Sequence, residues 1–168
     1  CLSSCVDTVL LPDDKTVDED FWKTKSDVSS MVMGAYQSMC SSNVIKSLNV
    51  WCDFRSDELV PVTSLSTSNA TVNALTQSDA VNVETTNAFA AWATIYKVIN
   101  NCNIVLDRAE SVMSVDPSYT QCDYLSDRSQ MLALRALCYF YLVRNFRDVP
   151  YSGHAYMKSS EQMNIPQV

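Results

Sequence analysis

Glycine is almost absent from this chain. Only Gly34 and Gly153 occur in 168 residues, where average usage of roughly 7% would give about twelve. Sandwiches and barrels turn on glycine-rich loops, and phosphate-cradling loops need glycine clusters, so those classes are excluded. Proline is also sparse, with none between Pro61 and Pro117 or between Pro117 and Pro150. Long uninterrupted helices suit such a chain, and an all-α fold is expected. A composition 47% hydrophobic supplies the core of one domain.

Periodicity locates the helices. Val28, Met31, Val32, Ala35, Tyr36 and Met39 recur at three- and four-residue spacing, which predicts a helix over 27–41, capped at Ser26 or Asp27. Gly34 inside it costs about 1 kcal/mol relative to alanine, which implies a close neighbour at that turn. Asn43 to Asp57 carry Val44, Ile45, Leu48, Trp51 and Phe54, consistent with a second short helix. The Ser-, Thr- and Asn-rich stretch 59–86 reads as a long irregular connection.

The clearest helix spans 87–113. One seam runs Phe89, Trp92, Tyr96, Ile99, Asn103, Leu106; beside it lie Ala88, Ala91, Ile95, Val98, Cys102, Val105 and Ala109. Two adjacent seams are too wide for one partner, so this helix must pack between two others. After Asp116-Pro117 a long helix over 120–146 starts at Thr120 or Asp123 and is apolar nearly all round from 131 to 143. Its surplus apolar surface calls for further helices. An isolated chain is expected to self-associate, to recruit the rest of a longer protein or to be marginally stable, with an exposed face including Tyr139, Leu142, Val143 or Phe146. Asn103, in an apolar seam, is expected to bond to neighbouring backbone. Arg135 needs a carboxylate or several carbonyls, with Asp107, Asp148 and Glu110 as candidates.

The net charge is −7, and residues 1–27 carry most of it: seven acids against Lys15, Lys23 and Lys25. Nucleic-acid binding needs a basic face, and none is present. Leu2-Ser3-Ser4-Cys5, an aliphatic residue and two small ones before a cysteine, resembles the lipobox of bacterial lipoproteins. Cys5 is then the lipid attachment site, and residues 1–25 form a leader and acidic tether ahead of a helical region over 26–168. The longest apolar run, Met131 to Val143, contains Arg135 and is too short to span a bilayer. Membrane attachment therefore falls to a lipid.

Seven cysteines with no CxxC, and one histidine, His154, without a ligand-spaced partner, offer no zinc site. Cys40 and Cys52 are one candidate disulfide pair; Cys102 and Cys138 read as core residues. No catalytic set emerges. His154 has Ser152 near it but no carboxylate close in sequence. The pairs Asp13-Asp14 and Asp57-Glu58 read as solvated charge. The stripe Trp92, Tyr96, Ile99 reads as core. Sugar recognition combines an aromatic face with polar groups for the hydroxyls, which singles out Trp51, Asp53, Phe54 and Arg55 as the candidate ligand cluster.

Four blocks together carry a family resemblance. Trp92-x3-Tyr96-x2-Ile99-x3-Asn103-x2-Leu106 resembles one helix of the SusD/RagB-type outer-membrane nutrient-binding lipoproteins. Leu134-Arg135-Ala136-Leu137-x-Tyr139-Phe140-x-Leu142-Val143, followed by Phe146-x-Asp148-Val149-Pro150-Tyr151, resembles the next. Gly34-Ala35-Tyr36 and the start Ser4-Cys5 with Leu11-Pro12 match in the family's order. Arg147 stands where the family has a glycine before Asp-Val-Pro, so the turn there should differ. Family members are several times longer, and this chain resembles their N-terminal part.

The resemblance implies tetratricopeptide-like helical hairpins, no cofactor and no enzyme activity. It implies a lipid-anchored protein exposed on the outer membrane that binds oligosaccharide or peptide fragments for uptake through a SusC-type TonB-dependent transporter. The alternative on the same fold is a helical-repeat scaffold that binds protein and no small ligand.

Overall fold

A computed structural model describes residues 21–53, 56, 92–156 and 163–164. They form four helices: α1 (Lys25–Met39), α2 (Ser42–Cys52), α3 (Ala93–Val112) and α4 (Gln121–Phe146). Two short strands, β1 (Pro150–Tyr151) and β2 (Met163–Asn164), pair antiparallel, with Pro150 opposite Asn164. The fold is all-α, as the composition requires. The stretch 59–86 and residues 87–91 lie outside the described residues; α3 begins at Ala93, with Trp92 at its N-cap, instead of at 87.

α3 is the central element and packs against both α1 and α4. Its two seams bury Ile95, Val98, Ile99, Cys102, Val105, Ala109 and Val112. α1 contributes Val28, Val32 and Ala35, one turn apart. The core also takes in Trp22 and Tyr119. Polar ties cross the layers: Asn101 Nδ2 donates to Ser38 Oγ at 2.7 Å, and the Tyr36 hydroxyl to Gln130 Oε1 at 3.3 Å.

α1 and α4 each open on a capping box, whereas α3, with Trp92 at its N-cap, has no side-chain cap. Thr24 Oγ1 accepts from Asp27 N at 3.2 Å, and Asp27 Oδ2 accepts from Thr24 N at 2.8 Å. The same exchange joins Thr120 and Asp123 at the head of α4. The α1 cap is therefore Thr24, two residues before the expected Ser26, and Asp27 is its reciprocal partner. The two boxes are cross-linked. Lys25 Nζ meets Asp123 Oδ1 at 2.9 Å, and Lys25 N donates to Asp116 Oδ2 at 2.8 Å. This pairing, with the Thr120 bonds, holds the Asp123 carboxyl down at about 2.

Three expectations are corrected. A Cβ on Gly34 would meet nothing within 4 Å, so no close neighbour explains that glycine. Cys40 and Cys52 are free thiols, both exposed. On α4, Tyr139 and Leu142 are buried rather than exposed, because Tyr139 reaches a backbone partner described below and Leu142 lies in the core. Phe146 is half-buried against Trp51 and Trp92. Val143 is exposed as expected, and with Leu137 and Phe140 it forms an outward apolar stripe.

Arg147 closes α4 with φ 62° and ψ −103°, while its N–H still bonds to Val143 O at 2.9 Å. This is backbone that favours glycine. The chain thus adopts a glycine-type turn at the position where the resembling family carries glycine, with arginine in its place.

Candidate functional site

Tyr96, Asn100, Asn103 and Asp107 lie at spacings of four, three and four, one face of α3. All four bond to the chain segment 150–156, which folds back over α3 as a strap. The Tyr96 hydroxyl donates to Pro150 O at 2.6 Å. Asn103 Nδ2 donates to Ser152 O at 2.9 Å and His154 O at 3.1 Å. Asn100 Oδ1 accepts from Tyr156 N at 2.8 Å. Asp107 takes Ala155 N on Oδ2 at 2.8 Å and faces His154 Nδ1 across 3.0 Å from Oδ1.

α4 adds a second row, Arg135 and Tyr139. Arg135 Nη1 donates to Asn103 Oδ1 at 2.7 Å and to Gly153 O at 3.0 Å. The Tyr139 hydroxyl accepts from Ser152 N at 2.7 Å. A backbone segment laid across a core must find partners for its N–H and C=O groups, and these side chains supply them. Asn103, fully buried, is the hub. Its expected bond to backbone is present. Arg135 finds an amide oxygen and a carbonyl instead of a carboxylate, because Asp107 is engaged with the strap and Glu110 accepts from the Tyr124 hydroxyl at 3.3 Å.

The His154–Asp107 contact supplies the carboxylate that sequence proximity did not reveal. It does not complete a nucleophile relay. Ser152 Oγ donates to the main-chain oxygen of His154 at 3.3 Å, and Ser152 is buried. Among the described residues no group of three or more His, Cys, Asp or Glu is placed to hold a metal.

Burial dominates the titration of the interior. It pushes the Cys102 thiol up to about 11 and the Cys138 thiol up to about 12. It also raises the Tyr96 and Tyr139 phenols. These groups stay neutral and unreactive at neutral pH.

Of the sequence-predicted ligand cluster, Trp51 and Asp53 are described. Trp51 is 7% exposed, its ring edge-on to Phe146 at 5.1 Å, in an aromatic chain that continues through Trp92 and Tyr96 to Tyr139 and Tyr151. Asp53 caps the exposed end of α2, its carbonyl accepting from Ser56. Phe54, Arg55 and Cys5 lie outside the described residues. Of the expected core stripe, Ile99 is buried, Tyr96 is half-buried and Trp92 reaches the surface.

Among the described residues, open cavities flank α3 on two sides. One, of about 370 Å³, lies between α1, α2 and α3, lined by Gln37, Ser38, Ser41, Asn43, Thr94 and Lys97. The other, of about 240 Å³, lies between α3 and the strap, lined by Ile104, Asp107, Arg108, Ala155 and Tyr156. Its aromatic rim, Tyr156, carried no signal in the sequence, because only the fold-back beyond Pro150 brings it beside Asp107.

A SusD-like family model, described as starch-binding and associating with the outer membrane, matches residues 10–166, and the chain belongs to that family. A SusD-like protein of Formosa agariphila is 27% identical over 137 residues, 79% of this chain and 25% of that protein. A second from the same bacterium is 25% identical over 170 residues, 98% of this chain and 30% of its own length. A crystal structure of a SusD superfamily protein from Bacteroides thetaiotaomicron superposes with a TM-score of 0.65 at 26% identity, covering 81% of this chain and 29% of that one. The chain thus spans between a quarter and a third of the length of these relatives.

Proposed function

We propose that the chain is part of a lipid-anchored, surface-exposed outer-membrane protein that binds glycan fragments and passes them to a SusC-type TonB-dependent transporter. The observation that carries this reading is the family match across residues 10–166, on a fold similar to a solved SusD superfamily protein. In this reading Cys5 carries the lipid and residues 1–25 tether the helical region 26–168. Asp53, Phe54 and Arg55, at and beyond the exposed end of α2, contact ligand, and Trp51 supports them from the core. The protein binds and does not catalyse.

The scaffold reading is favoured by one observation, the outward apolar stripe Leu137, Phe140 and Val143 on α4, which suits a protein neighbour. The experiment that separates the two is co-purification in the native host. A tagged full-length protein should bring down a TonB-dependent transporter from the membrane fraction. Cys5→Ala should shift the protein to the soluble fraction, and Cys1→Ala should not. Recovery of soluble protein partners alone, with no transporter, favours the scaffold.

A further inference from the structure

Tyr156 is the anomaly of the strap. It is the most exposed aromatic among the described residues, 73% accessible, and its φ is 56°, where residues other than glycine are strained. The conformation is held in place: Asn100 Oδ1 takes its N–H, and Asp107 takes the N–H of Ala155 before it. A strained backbone that fixes a bare aromatic ring beside a cavity is stability given up for position.

The rest of the cavity supplies matching chemistry. Asp107 and Arg108 stand side by side on α3 along the same wall. The Ala155 N–H donates to Asp107 Oδ2 and the His154 ring faces Oδ1, which leaves further carboxylate lone pairs to accept ligand hydroxyls. Arg108 adds donors. Carboxylate and guanidinium together leave the wall near neutral, which suits an uncharged polar ligand over an ion. The volume, about 240 Å³, falls below the roughly 300–1,000 Å³ of sites for drug-sized ligands and suits one ring. We propose that this cavity is a subsite for a single neutral sugar ring, which stacks on Tyr156 and shares its hydroxyls between Asp107 and Arg108. The proposal rests on the glycan-binding reading above and adds a site to it. It lies on the strap side of α3, apart from the α2 end where the sequence-predicted cluster begins.

The test uses the full-length protein. A glycan array that includes maltoheptaose selects the best-bound oligosaccharide, and calorimetric titration then compares variants. Tyr156→Phe keeps the ring and should bind as wild type does. Tyr156→Gly removes the ring but suits the positive φ, so it should melt no lower than wild type while binding about tenfold or more weakly. Arg108→Gln should weaken binding severalfold. Loss of binding in Tyr156→Gly with an undiminished melting temperature separates ligand contact from fold support. If wild type binds a glycan and both Tyr156→Gly and Arg108→Gln bind it equally well, the subsite is overturned and the glycan reading stands. If wild type binds no glycan, the glycan reading fails and this subsite fails with it.

Discussion

Replacing Arg147 by glycine should make the chain more stable, although the change deletes a side chain. Arg147 sits at φ 62° and ψ −103°, with its N–H still bonded to the last turn of α4. A residue with a Cβ held in such a region costs about 1–3 kcal/mol. Glycine removes that strain but has more freedom to lose from the unfolded chain, which offsets about 0.5–1 kcal/mol. The net gain is about 1 kcal/mol, or roughly 2–4 °C in melting temperature for a chain of this size. Arg147 is exposed, so little packing is lost. Arg147→Ala is the control, because alanine keeps the Cβ and the strain. Thermal and urea unfolding followed by circular dichroism should rank glycine above both arginine and alanine. Glycine equal to or below alanine would refute the strain argument and the turn it rests on.

Three further outcomes follow from the same structure. Asn103→Ala should destabilise by about 2–4 kcal/mol in urea titration, because it strips partners from two strap carbonyls and from Arg135 inside the fold; a loss below about 1 kcal/mol would show that the clasp holds nothing. Gly34→Ala should stabilise by about 0.5–1 kcal/mol, since its methyl meets no atom within 4 Å, and destabilisation would reveal a neighbour at that turn. With a thiol reagent at pH 8, exposed Cys40 and Cys122 should react in the native protein. Cys102 and Cys138, buried and raised to about 11 and about 12, should react only on unfolding; rapid native labelling of either would contradict the core.

The helices were legible because their signal is local. Two seams on α3 and the apolar density of α4 require only a period near 3.6, and the lack of glycine left little else to fit. The α1 start was placed two residues late because Asp27 is a good cap by itself, and only the reciprocal bond with Thr24 shows which residue caps. Gly34 misled because a helical glycine signals either close packing or nothing, and composition does not separate the two. The strap was the larger omission. Tyr96, Asn100, Asn103 and Asp107 stood in plain sight at helical spacing, but their partners lie some fifty residues on and are mostly backbone atoms, which carry no side-chain signature. Arg135 meets the Gly153 carbonyl, one of the two kinds of partner its position calls for, and the Asn103 amide oxygen in place of a carboxylate. Trp51 shows the converse: an aromatic beside polar residues reads as a ligand platform, and its contact with Phe146, far along the chain, carries no local signal.

The central claim is that this chain belongs to a glycan-capturing protein, and direct binding tests it. Purified full-length protein should be applied to an array of defined oligosaccharides that includes α-glucans, with titration of the strongest signal in solution. The account predicts saturable binding to one related group of glycans, weakened by Tyr156→Gly and unaffected by Tyr156→Phe. A folded, lipid-free full-length protein that binds no glycan on the array would contradict it.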